Sequence, residues 1–540
     1  MRILNVTQRG YLRFKQAAPC GMLGGLLTLL LFSSLVPLIA WGQDLGFDFH
    51  HEQSSRPGAK PYLGWSSWSQ ESHTFKNDAG QTVGGEPWLT EAQIKIQSDA
   101  LISTGLQRHG FEYINIDAGW ALNMAYSLAA DSSSNYDTYG RPLANPSKFP
   151  DGIAATVAYI HHNGQKAGIY WYPGVPMVLA ATNPPILHTP YHVDDILVVP
   201  YTLGNSFRNS YKIDFSKPGA QEYVNSIVDL FASWGFDLIK LDSVTPNAPA
   251  PFQVPLPDCP ENTCIDNRPD VKAWHTAIER SGRQIWLSLS WSLDHDDVSW
   301  WQQYANSRRI EFDIECHACT TTITTWPTVL LRFTDLATWE SDSGPGKGWN
   351  DLDSLEVGNG TNTNEGNTLI SGLTEDERQS MMTLWAIANA PLQIGDDLTQ
   401  LDAFGLQLLT NDDVIAVDQS GHPGQLVTNG SDGQTPVWAA KNDDCSYTVA
   451  LFNLNASPAM ATINWSDLGF QGNAELFDLW NHSRLGPQNG SYSISLPAHG
   501  SSLVRVLSNS ERGRDEQEQA YAGPDHNCAA PTREYSAIPF

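Results

Sequence analysis

The segment Phe236-Asp237-Leu238-Ile239-Lys240-Leu241-Asp242 has the pattern of a buried strand that ends in charged residues. Its apolar positions suit a strand of a parallel sheet that is covered on both faces. Lys240 and Asp242 are two positions apart, so their side chains point to the same side of the strand. In a βα-barrel catalysis takes place at this end of the strands, although one such motif alone is also compatible with a structural salt bridge. The other strand ends therefore decide between the two interpretations.

The composition is that of a globular, acidic chain with more than one domain. Its 540 residues are too many for a single core. The net charge of -28 would repel phosphates, which argues against nucleic acids and anionic membranes as partners. The 19 tryptophans suit stacking on sugar rings, although large cores also use this residue.

Residues 1–42 have the pattern of a signal peptide. Basic residues precede an apolar run over 21–40, and Ala40-Trp41-Gly42 offers a small-x-small cleavage site. The run is also long enough for an uncleaved N-terminal membrane anchor, which stays open as the alternative. In both cases we expect the rest of the chain to be secreted, extracellular or periplasmic, with no other membrane partner. Residues 43–60 have the polar composition of a linker, and residues 509–540 that of a loosely held tail.

The cysteines predict disulfides rather than a metal centre. Of the 7 cysteines, all but Cys20 follow the signal, and an even number suits disulfides in an exported protein. Cys316-His317-Ala318-Cys319 has CxxC spacing, but no second ligand pair accompanies it, so we expect a disulfide and not zinc. His317 is interpreted as a loop residue, and no metal is predicted. The other candidate pairs are Cys259 with Cys264 and Cys445 with Cys528.

Residues 61–421 alternate short apolar strands with amphipathic helices, which indicates a parallel α/β architecture. Eight strand candidates with intervening helices predict a (β/α)8 TIM barrel. Thr374-Glu375-Asp376-Glu377 fits a capping box at the start of a helix. The strand candidates are 63–68, 113–117, 166–172, 238–242, 285–291, 309–314, 349–353 and 391–394.

Residues 422–508 change character, because short alternating strands are separated by Gly, Asn and Pro. This pattern predicts a C-terminal antiparallel β-sandwich domain. The strand candidates are 437–440, 447–453, 459–463, 474–478, 492–496 and 502–506.

The carboxyl ends of the predicted barrel strands collect carboxylates, cations and aromatic side chains. This composition is typical of a glycosidase pocket, where acids do the bond chemistry, polar groups bind hydroxyls and aromatic rings cover sugar faces. For the charged residues, an ion pair or a strand-end hydrogen bond is the structural alternative. The candidate binding residues are Trp65, Asp117, Tyr170, Lys240, Ser290, Trp291, Arg309 and Asp353.

Asp242 and Asp313 are the candidates for the two carboxylates that glycoside hydrolysis needs. The neighbouring Lys240 should favour the ionised form of Asp242, which suits a nucleophile. Asp313 lies between apolar residues of the predicted strand 309–314, and burial there should raise its pKa, which suits an acid. Arg309 is four positions before Asp313 and should share its face of the strand.

Together these motifs resemble glycoside hydrolase family 27, the α-galactosidases or melibiases. The resemblance covers residues 61–420 in order, and the family also carries a C-terminal β-sandwich. It rests on residues 64–68 (GWSSW, in the family GWNSW), 113–120 (YINIDAGW, YINIDDCW), 240–242 (KLD, KYD), 309–314 (RIEFDI, RxxxDI) and 348–355 (GWNDLDSL, GWNDPDML).

The resemblance implies a retaining α-glycosidase that acts on an oligosaccharide or polysaccharide by double displacement. Asp242 would be the nucleophile and Asp313 the acid/base, and no cofactor or metal is implied. The leading substrate is a terminal α-D-galactoside. The positions that match sugar-contacting residues of the family are Trp65, Asp117, Tyr170, Lys240, Arg309 and Asp353.

Two departures from the family leave the choice of sugar open. Ala118 stands where the family has a second Asp that binds the far side of the ring, and Ser290 where it often has a Glu for the 2-hydroxyl. An isomalto-dextranase, a β-L-arabinopyranosidase and an α-N-acetylgalactosaminidase are therefore alternatives. A carbohydrate-binding protein that has lost catalysis is a further one, against which the presence of both aspartates argues.

Overall fold

A computed structural model describes residues 58–76, 82–121, 133–247, 265–360 and 370–508 of the chain. The predicted signal peptide, most of the predicted linker and the predicted tail lie outside these residues, and the domain boundaries stay predictions. Within the described part, no helix combines the length and the apolar character that crossing a membrane requires.

The predicted TIM barrel is confirmed. Eight parallel strands form one sheet in which chain neighbours lie side by side and the first strand also pairs with the eighth. A parallel bridge between Leu355 and Ile394 brings the segment after the seventh strand against the eighth, which closes the barrel. The strands are Leu63–Ser66, Tyr113–Ile116, Lys166–Trp171, Leu238–Leu241, Trp286–Leu289, Ser307–Arg309, Trp349–Asp351 and Leu392–Ile394.

Close strand packing explains the glycine of the GWSSW segment. A Cβ atom on Gly64 would lie 2.4 Å from the carbonyl oxygen of Tyr113 on the second strand. Any side chain there would push the first two strands apart, so this position accepts only glycine.

The sixth strand differs from its prediction, because it ends at Arg309 instead of beginning there. The Ile310 amide still donates to the Asp351 carbonyl of the seventh strand at 3.2 Å, but Phe312 and Ile314 bond to side chains. The carbonyl of Phe312 accepts from Arg332, and the amide of Ile314 donates to the Asp353 carboxylate at 2.7 Å. Asp313 therefore lies on a turn, and the expectation that Arg309 and Asp313 share one face of a strand was wrong.

Helices lie in the chain segments between the barrel strands and cover the outside of the barrel. The predicted capping box is present, since Thr374 Oγ1 accepts from the Glu377 amide at 3.3 Å and Glu377 Oε2 accepts from the Thr374 amide at 2.8 Å. The α-helices are Trp68–Glu71, Glu91–Ser103, Ile153–His162, Met177–Thr182, Ala220–Trp234, Arg268–Ser281, Val298–Tyr304, Trp326–Trp339, Glu375–Ala388, Ala403–Leu409 and Asp412–Asp418.

The predicted antiparallel β-sandwich is also confirmed. It consists of a six-stranded sheet and a two-stranded sheet around a separate apolar core. The sequence patterns missed Gln425–Thr428 and Ser483–Asn489, which are the two edge strands of the larger sheet and contain no fully buried residue. The other strands are Val437–Lys441, Tyr447–Phe452, Ala459–Asn464, Asn473–Asp478, Ser491–Leu496 and Ser501–Ser508.

Candidate active site

The carboxyl ends of the barrel strands bring the predicted site residues together around one buried cluster of charges. The centre of the cluster is formed by Lys240 and Asp242 from the fourth strand end and by Arg309 from the sixth. Each of the three is 8% exposed or less. Because they are withdrawn from solvent, their mutual charges act strongly on one another.

Lys240 pairs with Asp117 and not directly with Asp242. Its ammonium lies 2.9 Å from Asp117 Oδ2, and it lies 5.7 Å from the ring centroid of Tyr170, whose strand position is paired with that of Lys240. Asp117 also accepts from Asn115 at 3.2 Å. Asp117, Tyr170 and Lys240 therefore form one contact set at the second, third and fourth strand ends.

The Asp242 carboxyl is buried beside this set. Its Oδ1 accepts from the amide of Ser243 at 2.8 Å. Burial raises the pKa of Asp242, Lys240 opposes that shift, and the negative charge of Asp313 adds to it, so the pKa lies above its ordinary value. Asp242 and Asp313 are thus close enough for one charge to act on the other, as a shared site requires.

Arg309 binds two carboxylates at once. One nitrogen of its guanidinium contacts Asp353, and another contacts Asp313. Burial pushes the pKa of Asp313 upward, but the positive charge of Arg309 and the hydrogen bond from His317 outweigh burial, so the pKa of Asp313 lies below its ordinary value.

The predicted rise of the Asp313 pKa was wrong, because Arg309 is bonded to Asp313 and its charge outweighs burial. Lys240 was expected to favour the ionised form of Asp242, and its charge does lower the pKa of that carboxyl. The net shift is still upward, because burial is the largest cause and the ammonium of Lys240 is bonded to Asp117.

Three residues near the strand ends have a left-handed backbone although none is glycine. Ser243 has φ 63°, Ser292 φ 46° and Asp353 φ 78°. Such a conformation costs about 1–3 kcal/mol per residue and is found at functional sites more often than elsewhere. The Asp353 amide donates to Asp351 Oδ1 at 2.7 Å, which helps to hold the turn that presents the Asp353 carboxylate.

Two buried donors of the site have no hydrogen-bond partner among the described residues. They are Trp291 Nε1 and Arg309 Nε. An unsatisfied buried donor costs about 1–3 kcal/mol, and a ligand hydroxyl would remove that cost. The Ser290 hydroxyl instead hydrogen-bonds to Asp242, and the sugar-binding roles of Ser290 and Trp291 stay predictions.

The aromatic residues divide into a core group and a group at the mouth. Trp65 is fully buried and donates to the carbonyl of Asp396 at 2.9 Å, so it lies beneath the site, and its predicted sugar contact stays a prediction that this placement does not favour. At the mouth, Phe312 is 43% exposed, and its ring centroid is 5.9 Å from that of Trp291. Phe207 continues this aromatic surface, 6.2 Å from Trp291.

A group of buried acids behind Asp313 and Asp353 was missed by the sequence patterns. Ser69 Oγ lies 2.6 Å from Glu315 Oε1 and 2.7 Å from Glu356 Oε1. One hydroxyl hydrogen cannot satisfy two carboxylates, so one of the two carboxyls carries a proton. Burial, followed by the charges of Asp353 and Asp313, raises the pKa of Glu315 to about 8. Isolated Glu residues in loops carried no signal of this contact.

The CxxC segment forms the predicted disulfide, between Cys316 and Cys319. It lies at the active site, since His317 Nε2 is 3.1 Å from Asp313 Oδ2. The interpretation of His317 as an ordinary loop residue was therefore incomplete. Cys445 is also disulfide-bonded. Cys259, Cys264 and Cys528 lie outside the described residues, so the two other predicted pairs stay predictions.

Within the described part of the chain, Asp313, Glu315 and Asp353 offer carboxylate oxygens that lie within 4.8 Å of one another. Arg309 contacts two of these three carboxylates and already supplies positive charge between them. We therefore assign no metal ligand to this group.

The chain matches known families over both domains. Residues 60–186 and 209–420 match the family described as alpha galactosidase A, and residues 432–506 match the alpha galactosidase C-terminal beta sandwich domain. The α-galactosidase of Coffea arabica is 30% identical over 450 residues, which cover 83% of this chain and 93% of that protein. The α-galactosidase of Cyamopsis tetragonoloba is 29% identical over 447 residues, covering 82% and 85%.

Solved structures show the same architecture. A family 27 β-L-arabinopyranosidase from Geobacillus stearothermophilus superposes with a TM-score of 0.69 at 27% identity, covering 84% of this chain and 97% of that one. The α-galactosidase I of Mortierella vinacea, at 24% identity and a TM-score of 0.60, shares the fold. Since the family match spans the barrel from its first strand to its last helix, this chain belongs to the α-galactosidase family, glycoside hydrolase family 27, and is a glycoside hydrolase.

Proposed function

We propose that this hydrolase cleaves terminal α-D-galactosides with retention of configuration. The observation that carries the proposal is the charged cluster at the strand ends, in which Arg309 is bonded to Asp313 and the charges of Lys240 and Asp313 act on Asp242. Retaining enzymes need two carboxyls about 5–5.5 Å apart, and we expect that separation in the sugar complex.

In the proposed reaction Asp242 attacks the anomeric carbon and forms an ester bond to the sugar. The bond to the leaving oxygen breaks at the same time, its electron pair stays on that oxygen, and Asp313 supplies the proton. A water molecule then attacks the anomeric carbon and gives a proton to Asp313, while the ester bond to Asp242 breaks. Trp291 and Arg309 would donate to sugar hydroxyls through their unpartnered hydrogens.

A panel of nitrophenyl glycosides tests this proposal. We expect turnover of the α-D-galactopyranoside, and proton NMR during the first minutes should show the α-anomer of galactose as the initial product. Release of the β-anomer first would contradict retention, and an active preparation that hydrolyses other glycosides but not the α-galactoside would contradict the substrate.

A β-L-arabinopyranoside is the second candidate substrate, and Ala118 favours it. This sugar has the ring configuration of α-D-galactose but lacks the hydroxymethyl group, so it needs one polar contact fewer. Ala118 is a buried methyl group next to Asp117, on the side of the site where the family has a further carboxylate. A relative of the same fold, from Geobacillus stearothermophilus, is a β-L-arabinopyranosidase that has also been crystallised with arabinose.

The variant Ala118→Asp distinguishes the two candidates. The ratio of kcat/KM for the galactoside to that for the arabinopyranoside should rise about 10-fold or more, because a hydrogen-bonding site discriminates by the hydroxyl it binds. Ala118→Asn is the uncharged control of the same size. An unchanged ratio in both variants would show that residue 118 does not contact the part of the sugar that differs.

We also propose that residues 1–42 direct export of the chain, since they combine basic residues, an apolar run and a small-x-small site. Cells that express the full chain should release a protein whose N-terminal residue is Gln43. A membrane-bound product that keeps the first residues would instead support the anchor.

A further inference from the structure

His317 is the solvent-connected partner of Asp313. Its Nε2 is 3.1 Å from Asp313 Oδ2, whereas the other oxygen of the same carboxylate is bound by Arg309. The His317 side chain is 50% exposed, and those of Asp313 and Arg309 are 14% and 4% exposed. Of these three groups, His317 is therefore the one best placed to exchange protons with water.

The loop geometry holds the imidazole on the carboxylate. His317 is enclosed between the bonded cysteines Cys316 and Cys319. The carbonyl of Cys316 accepts from His73 Nε2 at 3.0 Å, and the two imidazole rings are stacked with centroids 6.3 Å apart. The ring of Trp68 meets His317 edge-on at 6.2 Å. The contact with Asp313 is thus supported from both sides of the loop.

The groups that face His317 favour its protonated form. The hydrogen bond to Asp313 raises the pKa of His317, burial opposes this shift, and the charges of Asp313, Glu315 and Asp353 add to it. His73, whose ring is stacked on that of His317, is a further titratable group there, and burial lowers its pKa.

In the free enzyme Asp313 needs a source for the proton that it gives to the leaving oxygen, and its contact with His317 can supply one. Asp313 must give a proton to the leaving oxygen, yet Arg309 is bonded to Asp313 and favours its ionised form. Two strongly interacting groups titrate as a unit, so the proton that Asp313 needs can reside on its partner.

We propose that Asp313 and His317 hold one proton between them in the active form, which makes His317 a positioning residue for the acid/base. The inference rests on the retaining hydrolysis proposed above. When the glycosidic bond breaks, the shared proton moves to the leaving oxygen, and the pair is left as carboxylate and neutral imidazole. The water that attacks the glycosyl-enzyme returns one proton to the pair, so protons balance over the cycle.

His317→Gln tests the inference, because glutamine keeps an N–H near Asp313 but cannot titrate. In the wild type the alkaline limb of kcat/KM should report loss of the shared proton and lie above pH 6.5, the ordinary pKa of histidine. In the variant the limb should move to lower pH by about 1 unit or more, since only a carboxyl remains to hold the proton. An unmoved limb would overturn the inference.

The leaving group gives a second readout that a merely structural role would not produce. A glycosyl fluoride needs little protonation, whereas a disaccharide needs it, so His317→Gln should slow the disaccharide at least about 10-fold more than the fluoride. Equal losses for both substrates would contradict the proposal. His162→Gln, at an exposed position on the helix Ile153–His162, is the matched control and should change neither profile.

A direct titration separates this inference from the proposed function. With 13C-labelled histidine, NMR should show the pKa of His317 falling by about 1 unit in Asp313→Asn, because the charge of Asp313 is removed. An unchanged pKa would overturn the inference whatever the enzyme hydrolyses. A falling pKa in a protein that cleaves no galactoside would leave the pair intact and overturn the proposed substrate alone.

Discussion

The pKa values of two aspartates in one charged cluster are shifted in opposite directions. The pKa of Asp242 is raised chiefly by burial, and the pKa of Asp313 is lowered because the charge of Arg309 outweighs burial. Lys240 is the residue that sequence spacing assigned to Asp242, yet its ammonium is bonded to Asp117. At the residue scale the pKa of an aspartate therefore depends on its burial and on the charged side chains that contact it.

Asp242→Asn should remove the proposed nucleophile and leave the surrounding residues in place. We expect kcat for the α-galactoside to fall by about 10³-fold or more, since loss of a nucleophile removes the covalent route. Binding of galactose, measured by calorimetry, should remain within about 10-fold of the wild type, because asparagine has nearly the same shape.

Asp237→Asn, on the same chain segment but at the opposite end of the barrel, is the control for this substitution. Asp237 pairs with Arg283 and His161 and accepts from the Ala167 amide at 2.9 Å. That end of a barrel serves stability, so the melting temperature should fall while kcat/KM stays within about 2-fold. Full activity in Asp242→Asn would refute the proposal that Asp242 is the nucleophile.

At the scale of elements, the Ser69 hydroxyl connects one helix with two loops. Ser69 belongs to the helix Trp68–Glu71, Glu315 follows the sixth strand, and Glu356 follows the seventh. Burial is the main cause that raises the pKa of both acids, Glu315 to about 8 and Glu356 well above its ordinary value. The bridge needs a proton, so its stability depends on pH.

The sign of this dependence follows from the raised pKa values. Between pH 4.5, the ordinary glutamate pKa, and about 8, the unfolded chain is ionised at Glu315 while the folded chain keeps the proton. The stabilisation is therefore complete below pH 4.5 and is lost as pH rises toward 8. Glu356→Gln can bond to Ser69 without a shared proton, so its unfolding free energy should decline less from pH 5 to 8 than that of the wild type.

Urea unfolding at several pH values measures this difference. From pH 5 to pH 8 the unfolding free energy of Glu356→Gln should decline by about 1 kcal/mol less than that of the wild type, or by a still smaller amount. One pKa unit corresponds to about 1.4 kcal/mol. Glu279→Gln, at an exposed position, should follow the wild-type curve. Parallel curves for Glu356→Gln and the wild type would show that the bridge holds no proton.

The turn after the sixth strand also carries the exposed ring of Phe312 next to Asp313. Because the proposed acid/base Asp313 would face the leaving group, we expect Phe312→Ala to raise KM for a disaccharide by about 3- to 10-fold through loss of a stacking surface. KM for the glycosyl fluoride should not change, since its leaving group has no ring. A KM that rises equally for both would place Phe312 at the galactose ring instead.

At the scale of the whole molecule, the sandwich is packed on the barrel through aromatic rings. The ring centroid of Phe452 in the sandwich is 5.0 Å from that of Phe333 on the barrel helix Trp326–Trp339. The ring centroid of Trp438 is 5.7 Å from that of Phe333. His499 is stacked on Trp326 at 4.8 Å. These contacts continue the barrel core into the sandwich, so the two domains should unfold together.

Phe452→Ala should weaken this coupling. Removing a fully buried phenylalanine costs about 3–5 kcal/mol, and here the cavity lies between the domains. Calorimetry should show the single unfolding transition of the wild type lowered and split. Phe470→Ala, whose ring contacts Tyr447 and Trp465 within the sandwich, should lower the transition without splitting it. A split in both variants would contradict a role of the interface.

Short-range patterns were enough to predict the two folds. Strand and helix periodicity depend on which neighbours along the chain are apolar, and the capping box at Thr374 is a contact over three residues. The predictions were wrong where backbone groups bond to distant side chains, as at Phe312 and Ile314, and where edge strands without fully buried residues need no apolar alternation.

By itself the sequence determined the barrel, the sandwich and the set of residues at the strand ends that we propose as the site, because each depends on local periodicity and on topology. Tertiary structure alone decided which charge pairs with which. Lys240 reaches Asp117, 123 positions away, and the Ser69 hydroxyl joins Glu315 and Glu356 across 246 and 287 positions. The physical reason is that a pKa depends on distance and burial in space, and neither can be read from separation along the chain.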